Sequence, residues 1–219
     1  MVVGASGNIG TAVMEALGRR QPGVEILALA RRRPTHDPHI PGCDVTWRAV
    51  DIRSDPLGTH FVGADVVVHL AWLFHPSHHP QATWRSNVHG ALQVMDGVRD
   101  ADVGALVCSS SVAAYSARAD AEPTDESWPT HGASDAPYVR EKSYIERLLD
   151  SLEAADTNRR VVRIRPAFVF HRRAATQQRR LFIGPLLPRV LQVQRWRHCF
   201  RCRQVSCSRR RTVMTSATP

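Results

Sequence analysis

Met1-Val2-Val3-Gly4-Ala5-Ser6-Gly7-Asn8-Ile9-Gly10-Thr11 opens the chain as an apolar strand end, a turn with glycines at 4, 7 and 10, and the start of a helix. Thr11–Arg20 continues with helical spacing that places Val13, Ala16 and Leu17 on one side. Glycines in such a turn let the backbone come close to an anion. The helix that follows presents unpaired N–H groups and the positive end of its dipole. The spacing is G-x-x-G-x-x-G rather than G-x-G-x-x-G, and a plain turn with no ligand has the same form.

Outward from that turn the pattern alternates between strand and helix. Val24–Ala30 and Asp44–Val50 read as strands, and Ala64–Leu70 as the unbroken apolar run of a buried parallel strand. Asn87–Asp100 reads as a helix and Ala105–Ser109 as a strand. Tyr138–Ala154 is a second long helix, with Ile145, Leu148 and Leu149 apolar among charges, and Val161–Ile164 closes the series. Repeated β-α-β units with short loops predict an α/β fold, a Rossmann-type doubly wound parallel sheet with helices on both faces.

Composition narrows the function classes. An apolar fraction of 43% over 219 residues supports a packed core. No run of 18 apolar residues is present, so no membrane partner is expected, and no basic segment leads into an apolar one at the start; a cytoplasmic protein is the expectation. The net charge of +9 is local: residues 189–219 hold eight arginines and no acid, which leaves the remainder close to neutral. No nucleic-acid fold signature accompanies that basic stretch, so no nucleic-acid partner is expected. Arginine outnumbers lysine 28 to 1, as GC-rich codons would produce, and Lys142 is the single lysine.

Four further segments carry chemistry. The second strand ends in Arg31-Arg32-Arg33 with no acid. An acid at this point binds a ribose 2′-hydroxyl, whereas arginine accommodates a 2′-phosphate, so NADP is favoured over NAD; solvated surface arginines are the alternative. Asp51-Ile52 ends the third strand, where a carboxylate meets an adenine amino group or caps a helix. In Pro137-Tyr138-Val-Arg-Glu-Lys142, the tyrosine and lysine lie four apart on one helix face. A phenol ordinarily titrates near 10, and an adjacent ammonium favours its ionised form, which equips the pair for proton exchange with a small-molecule substrate. An arginine could not carry a proton in this way. Upstream, Val107-Cys-Ser-Ser-Ser111 ends a strand in hydroxyls, where Ser111 either orients a substrate oxygen or caps a turn.

Together these segments resemble the extended short-chain dehydrogenase/reductases, the NAD-dependent epimerase/dehydratase family, over residues 1 to about 188. The resemblance rests on Gly4–Gly10, Asp51-Ile52, His69-Leu70-Ala71, Asn87-Val-His-Gly90, Ser109–Tyr115, Asp125–Pro129, Tyr138–Lys142 and Arg165-Pro166. His69-Leu-Ala-Trp72 with Pro76-Ser-His78 resembles an actinobacterial branch. The resemblance implies an NAD(P)-dependent oxidoreductase, epimerase or dehydratase, with Ser111, Tyr138 and Lys142 as the catalytic trio. It implies cofactor contacts from Gly4, Ser6, Gly7, Asn8, Ile9, Gly10, Arg31, Arg32, Asp51, Ile52, Leu70, Ala71, Asn87, Tyr138, Lys142 and Pro166. It also implies a homodimer through helices 87–100 and 138–154. A non-catalytic NADP-binding regulator is the alternative function.

The chain departs from the family at both ends. The first strand has three residues before Gly4 where about five are usual, so a clipped start is expected. From about Leu191 the resemblance is expected to stop, with the substrate lobe largely absent. His75, His78 and His79 lie in a proline-flanked loop without partnering carboxylates, and Cys199, Cys202 and Cys207 lack a second knuckle, so no metal is expected. In 189–219 acids vanish, three of the five cysteines appear and apolar periodicity ends. Thr212–Pro219, written with G or C at free third positions and started at the third base, reads Gly-His-Asp-Val-Gly-Asp-Ala. The first aspartate is forced by the Met214 codon and the start of the Thr215 codon. That string resembles the H-x-D-D-V-x-D-A segment of the family, so residues 189–219 are expected to be an out-of-frame, disordered tail.

Overall fold

In the computed structural model the described residues are 1–74, 80–118, 125–132 and 136–169. Within them, six strands form one parallel sheet: β1 Val2–Val3, β2 Val24–Ala30, β3 Cys43–Ala49, β4 Val66–His69, β5 Ala105–Ser109 and β6 Arg160–Ile164. Their order is β3-β2-β1-β4-β5-β6, so the direction of winding reverses between β1 and β4. Val3 stands in register with Leu29 on one side and His69 on the other. The residues that follow, Gly4 and Leu70, therefore flank the switch point of the sheet, where open α/β folds bind ligands. The expected boundary at 188, the tail 189–219 and His75, His78 and His79 lie outside the described residues.

The strands alternate sides as their two-residue period requires. Val2, Ile26, Ala28, Ala30 and Trp47 join Met14 in the core under α1 (Asn8–Arg20). Val3, Leu29, Val67, Leu106 and Cys108 join Phe61, Val94, Val98, Ile145 and Leu149 on the opposite face. That face is covered by α2 (Gly58–Phe61), α4 (Gly90–Asp100) and α5 (Pro137–Ala155), while α3 (Pro80–Trp84) and a π-helical turn, Arg85–His89, lead into α4. Fully burying side chains such as Phe61 or Leu149 contributes about 1.5–3 kcal/mol each. Proline at the first position of α5 fixes where that helix begins, since its missing N–H has no intrahelical role there.

Val13, Ala16 and Leu17 of α1 are partly buried, while its fully buried residues are Gly10, Met14 and Gly18. Spacing of four sets these residues in one row, and two of them are glycine because the backbone comes too close for a side chain. A Cβ on Gly18 would lie 2.1 Å from the Pro41 carbonyl oxygen, and one on Gly10 would lie 2.5 Å from that of Gly4. Apolarity alone could not reveal a face defined by close approach.

Candidate active site and nucleotide cradle

The glycine turn forms one wall of a cavity of about 220 Å³ at the switch point. Gly4 takes φ +87° and donates its N–H to Leu29 O at 2.9 Å, and the Gly7 N–H returns to Gly4 O at 3.0 Å. A Cβ on Gly4 would strike the Ala71 backbone nitrogen at 2.6 Å, so this position admits only glycine. Gly7 precedes α1 with no side chain capping the helix, which leaves the first-turn N–H groups facing no internal acceptor side chain. These features suit the pyrophosphate of a dinucleotide.

At the far end of the cavity stand Arg31, Asp51, Ile52 and Arg53. Asp51 accepts the Arg53 backbone N–H at 3.0 Å and its Nε at 2.9 Å, so it caps a turn while still lining the cavity. The hydrogen bond from Arg53 is the main reason its carboxyl is held below the usual range, with Arg31 adding a smaller pull. Arg33 pairs with Asp37 instead. All three arginines are exposed, and of them Arg31 is the one in the lining.

Two of the three expected catalytic residues, Tyr138 and Lys142, come together beyond the end of β4. Tyr138 and Lys142 project from the first turns of α5 and share one neighbour, Trp72, just beyond β4. The Tyr138 ring meets Trp72 edge-on at 5.6 Å and Phe74 at 5.3 Å, while Lys142 Nζ lies 3.5 Å from the Trp72 ring centroid. Lys142 also donates to Ser109 O at 2.7 Å. Burial pushes its ammonium down to about 8, opposed by Cys108, Glu146 and Glu141. Burial, aided by the Lys142 charge, pushes His69 down to about 3 and so keeps it neutral. Burial likewise raises the Cys108 thiol to about 11, leaving it protonated.

The three serines at the end of β5 and just beyond it do three different things. The Ser109 carbonyl holds Lys142, the Ser110 hydroxyl donates to Glu146, and the Ser111 hydroxyl accepts the Ala113 N–H at 3.1 Å at the start of a short 3₁₀ turn. Asn87 lies in the π-helical turn and is 1% exposed. Its amide accepts the Leu73 N–H at 2.7 Å, donates to Leu73 O at 3.1 Å, and donates to Glu141 Oε2 at 2.7 Å.

Of the expected cofactor residues, Gly4, Ser6, Gly7, Arg31, Asp51, Ile52, Leu70 and Ala71 line the cavity. Asn8, Ile9, Gly10, Arg32, Asn87, Tyr138, Lys142 and Pro166 are not in its lining. Gly10 packs behind the turn, and Asn87 is engaged with Leu73 and Glu141. The sequence reading missed Arg53, Trp72, Leu73 and Ser86 in the lining and Glu141 behind it. An aromatic residue directly after a strand end at the switch point was the available signal for Trp72. Among the described residues, no cluster of histidine, cysteine and carboxylate side chains could hold a metal ion, and no helix is long and apolar enough to cross a membrane.

The model of the NAD dependent epimerase/dehydratase family matches residues 1–203. The chain belongs to that family. The match runs beyond Leu191, where the resemblance was expected to stop. Solved structures of similar fold include a UDP-glucose 4-epimerase from Stenotrophomonas maltophila, with bound NAD and formylated UDP-arabinopyranose. It is 26% identical with TM-score 0.63, and the likeness covers 75% of this chain and 51% of that one. The UDP-glucose 4-epimerase of Thermus thermophilus, in complex with NAD, is 23% identical with TM-score 0.61, over 75% of this chain and 53% of that one. A dTDP-glucose 4,6-dehydratase double mutant from Streptomyces venezuelae, with NAD bound, is 21% identical with TM-score 0.60, over 74% and 54%. The last two likenesses bear on fold alone. This epimerase/dehydratase chain spans about half the length of the solved structures it matches.

Proposed function

We propose that this chain carries the dinucleotide-binding and acid–base half of an oxidoreductase, epimerase or dehydratase acting on a nucleotide-sugar type of small molecule. The observation that carries this reading is the placement of Tyr138 and Lys142 against Trp72, which itself lines the cavity behind Gly4. Gly4, Ser6 and Gly7 would hold the pyrophosphate. Arg31 and Arg53 stand where the adenosine end would lie, with no acid at the end of β2, which supports NADP over NAD. Bound there, a nicotinamide supplies the hydride donor or acceptor.

The chain's own residues handle the proton. Ser111 orients the substrate oxygen, Tyr138 exchanges a proton at that oxygen, and the Lys142 ammonium stabilises negative charge developing on the phenol. Exposed Leu92 on α4 and Tyr144 on α5 support pairing of two copies through those helices. A cytoplasmic location belongs to the same proposal.

Tyr138→Phe tests the reading. Turnover of a UDP- or dTDP-sugar is expected to fall by about 10²–10⁴-fold, with dinucleotide affinity kept within about twofold, because one proton-transfer oxygen is lost. A near-normal rate in that variant refutes the acid–base assignment. A native chain that binds dinucleotide without turning over any such sugar would instead fit a binding-only regulator.

A further inference from the structure

Among the described residues, Trp72 alone both lines the cavity and makes ring contacts with Tyr138 and Lys142. On the β4 side the cavity lining includes Trp72, Leu73 and Ser86, and neither Tyr138 nor Lys142 is in it. Its volume of about 220 Å³ is below the roughly 300–1,000 Å³ of small-molecule sites. The indole therefore stands between the cradle and the proposed acid–base pair. It also covers the Lys142 ammonium, which is 3% exposed and is enclosed between the Ser109 carbonyl at 2.7 Å and the ring face at 3.5 Å.

The backbone beneath the indole is fixed. Asn87 takes both the N–H and the C=O of Leu73, much as a neighbouring strand would, and is itself held by the buried Glu141 carboxylate. Among the described residues no comparable polar clamp engages the Trp72 side chain; ring contacts with Tyr138 and Lys142 position it. Rotation about its own side-chain bonds would thus open the cavity toward α5 without moving the clamped backbone.

We propose that Trp72 is a side-chain gate between the adenosine half of the dinucleotide site and the Tyr138–Lys142 pair, holding the Lys142 ammonium until the nicotinamide half displaces it. This inference rests on the dinucleotide reading of the cavity. A dinucleotide reaching Lys142 must replace the cation–π contact, whereas a ligand confined to the adenosine end need not. Trp72→Leu keeps apolar volume and removes the ring face. It is expected to bind NADP⁺ about tenfold more tightly than the native chain, a change of about 1.4 kcal/mol, the size of a desolvated cation–π contact.

Calorimetric titration of the full chain with NADP⁺ and with adenosine 2′,5′-bisphosphate tests this. Trp72→Leu should tighten NADP⁺ and leave the bisphosphate within about twofold; Trp72→Phe, which keeps a smaller ring face, should fall between Leu and native. In the native chain NADP⁺, but not the bisphosphate, should change tryptophan emission, so the gate is testable even where a variant folds poorly. Unchanged or weaker NADP⁺ binding in Trp72→Leu with normal bisphosphate binding overturns the gate. So do equal emission changes with the two ligands. A native chain that binds neither ligand overturns the dinucleotide reading and the gate with it.

Discussion

Arg165 grips Glu146 with two hydrogen bonds, Nη2 to Oε2 at 2.8 Å and Nε to Oε1 at 3.0 Å, joining the residue after β6 to the middle of α5. The carboxylate is fully buried, and the Ser110 hydroxyl and Arg163 also face it. Arg165 reaches further, to the Tyr115 hydroxyl at 2.9 Å and the Glu126 carbonyl at 3.1 Å. One ion pair thereby ties strand, helix and the loop after β5 together, with Ser110 in direct contact with it. No step of the proposed chemistry uses it.

Glu146→Leu should therefore destabilise the fold. Removing the carboxylate leaves Arg165 without its ion-pair partner, while Arg163 keeps Asp150 and Glu153, and a cost of about 3 kcal/mol is expected, the lower end for a buried pair because Arg165 is partly exposed. Burial by itself would raise the Glu146 carboxyl. The hydrogen bonds from Arg165 and Ser110, with the charges of Arg165 and Arg163, outweigh it and hold it below 4.5. A depressed carboxyl contributes stability that is present above about pH 4.5 and is lost as pH falls through the lower folded value. Urea denaturation across pH 3–6 should show native stability falling more steeply with acid than that of Glu146→Leu. Parallel curves would count against this account.

Gly4→Ala and Gly23→Ala separate a clash from a conformational cost. Both glycines have φ near +90°, but Gly23 has open space around a built Cβ while Gly4 meets the Ala71 backbone at 2.6 Å. Each substitution carries the left-handed penalty of about 1–2 kcal/mol. Gly4→Ala should cost about 1–3 kcal/mol more through overpacking against atoms that cannot rotate away. Equal thermal midpoints for the two variants would show that the turn relaxes freely.

The sequence was most legible where one local signal decided the outcome. β2 and β5 fall where Val24–Ala30 and Ala105–Ser109 were expected, because apolar β-formers there are bounded by glycine or polar residues. β3 and β4 were placed within two residues. Gly4, Gly7, Asp51, Ile52 and Arg31, singled out for their positions at strand ends, line the cavity, whereas Gly10 does not. What escaped depends on residues far apart in the chain. The packed face of α1 follows from the approach of Pro41, and the Asn87–Glu141 bond spans 54 residues. Trp72 was quoted as a mark of resemblance, yet its position over Lys142 follows from how α5 lies against the segment after β4. No periodicity encodes that.

Cofactor choice should turn on Arg31. Arg31 lines the cavity, whereas Arg33 is committed to Asp37. Arg31→Asp removes a donor to a 2′-phosphate and supplies an acceptor for a 2′-hydroxyl. NADP⁺ affinity should drop by roughly tenfold or more, the scale of one charge-assisted hydrogen bond, while NAD⁺ affinity rises or holds. Native protein that binds NAD⁺ as tightly as NADP⁺ in calorimetry would sink the preference.

Residues 191–219 are proposed to be an out-of-frame translation, on the loss of acids and the rise of arginine there. Resequencing the gene should reveal a one- or two-base lesion near codons 188–192, with the alternative frame continuing into the H-x-D-D-V-x-D-A-like segment. An early stop in that frame would refute the idea. Since the family match reaches residue 203, an intact reading frame would make the start of this stretch part of the family domain.

Lys142 offers a direct view of the proposed acid–base pair, because it is the only lysine in the chain. Protein grown with ¹⁵N-lysine should give a single Nζ resonance, free of overlap and separate from the Met1 amine. Enclosure between Ser109 O and the Trp72 ring removes water from the ammonium, and burial lowers its titration from 10.5 to about 8 despite the opposing pull of Cys108, Glu146 and Glu141. The midpoint in the folded protein should therefore lie near 8. The sign for stability follows from the same shift. Below about pH 8 the lysine is charged in both states, and the full cost of burying that charge is present. Between 8 and 10.5 the unfolded chain binds more protons, so the cost is relieved and stability gains an upward slope with pH. Lys142→Met should lack that slope in denaturation measured from pH 7 to 10. A resonance that titrates near 10.5, or identical slopes in the two proteins, would mean that Lys142 is well hydrated in solution and that the Trp72 cover does not persist.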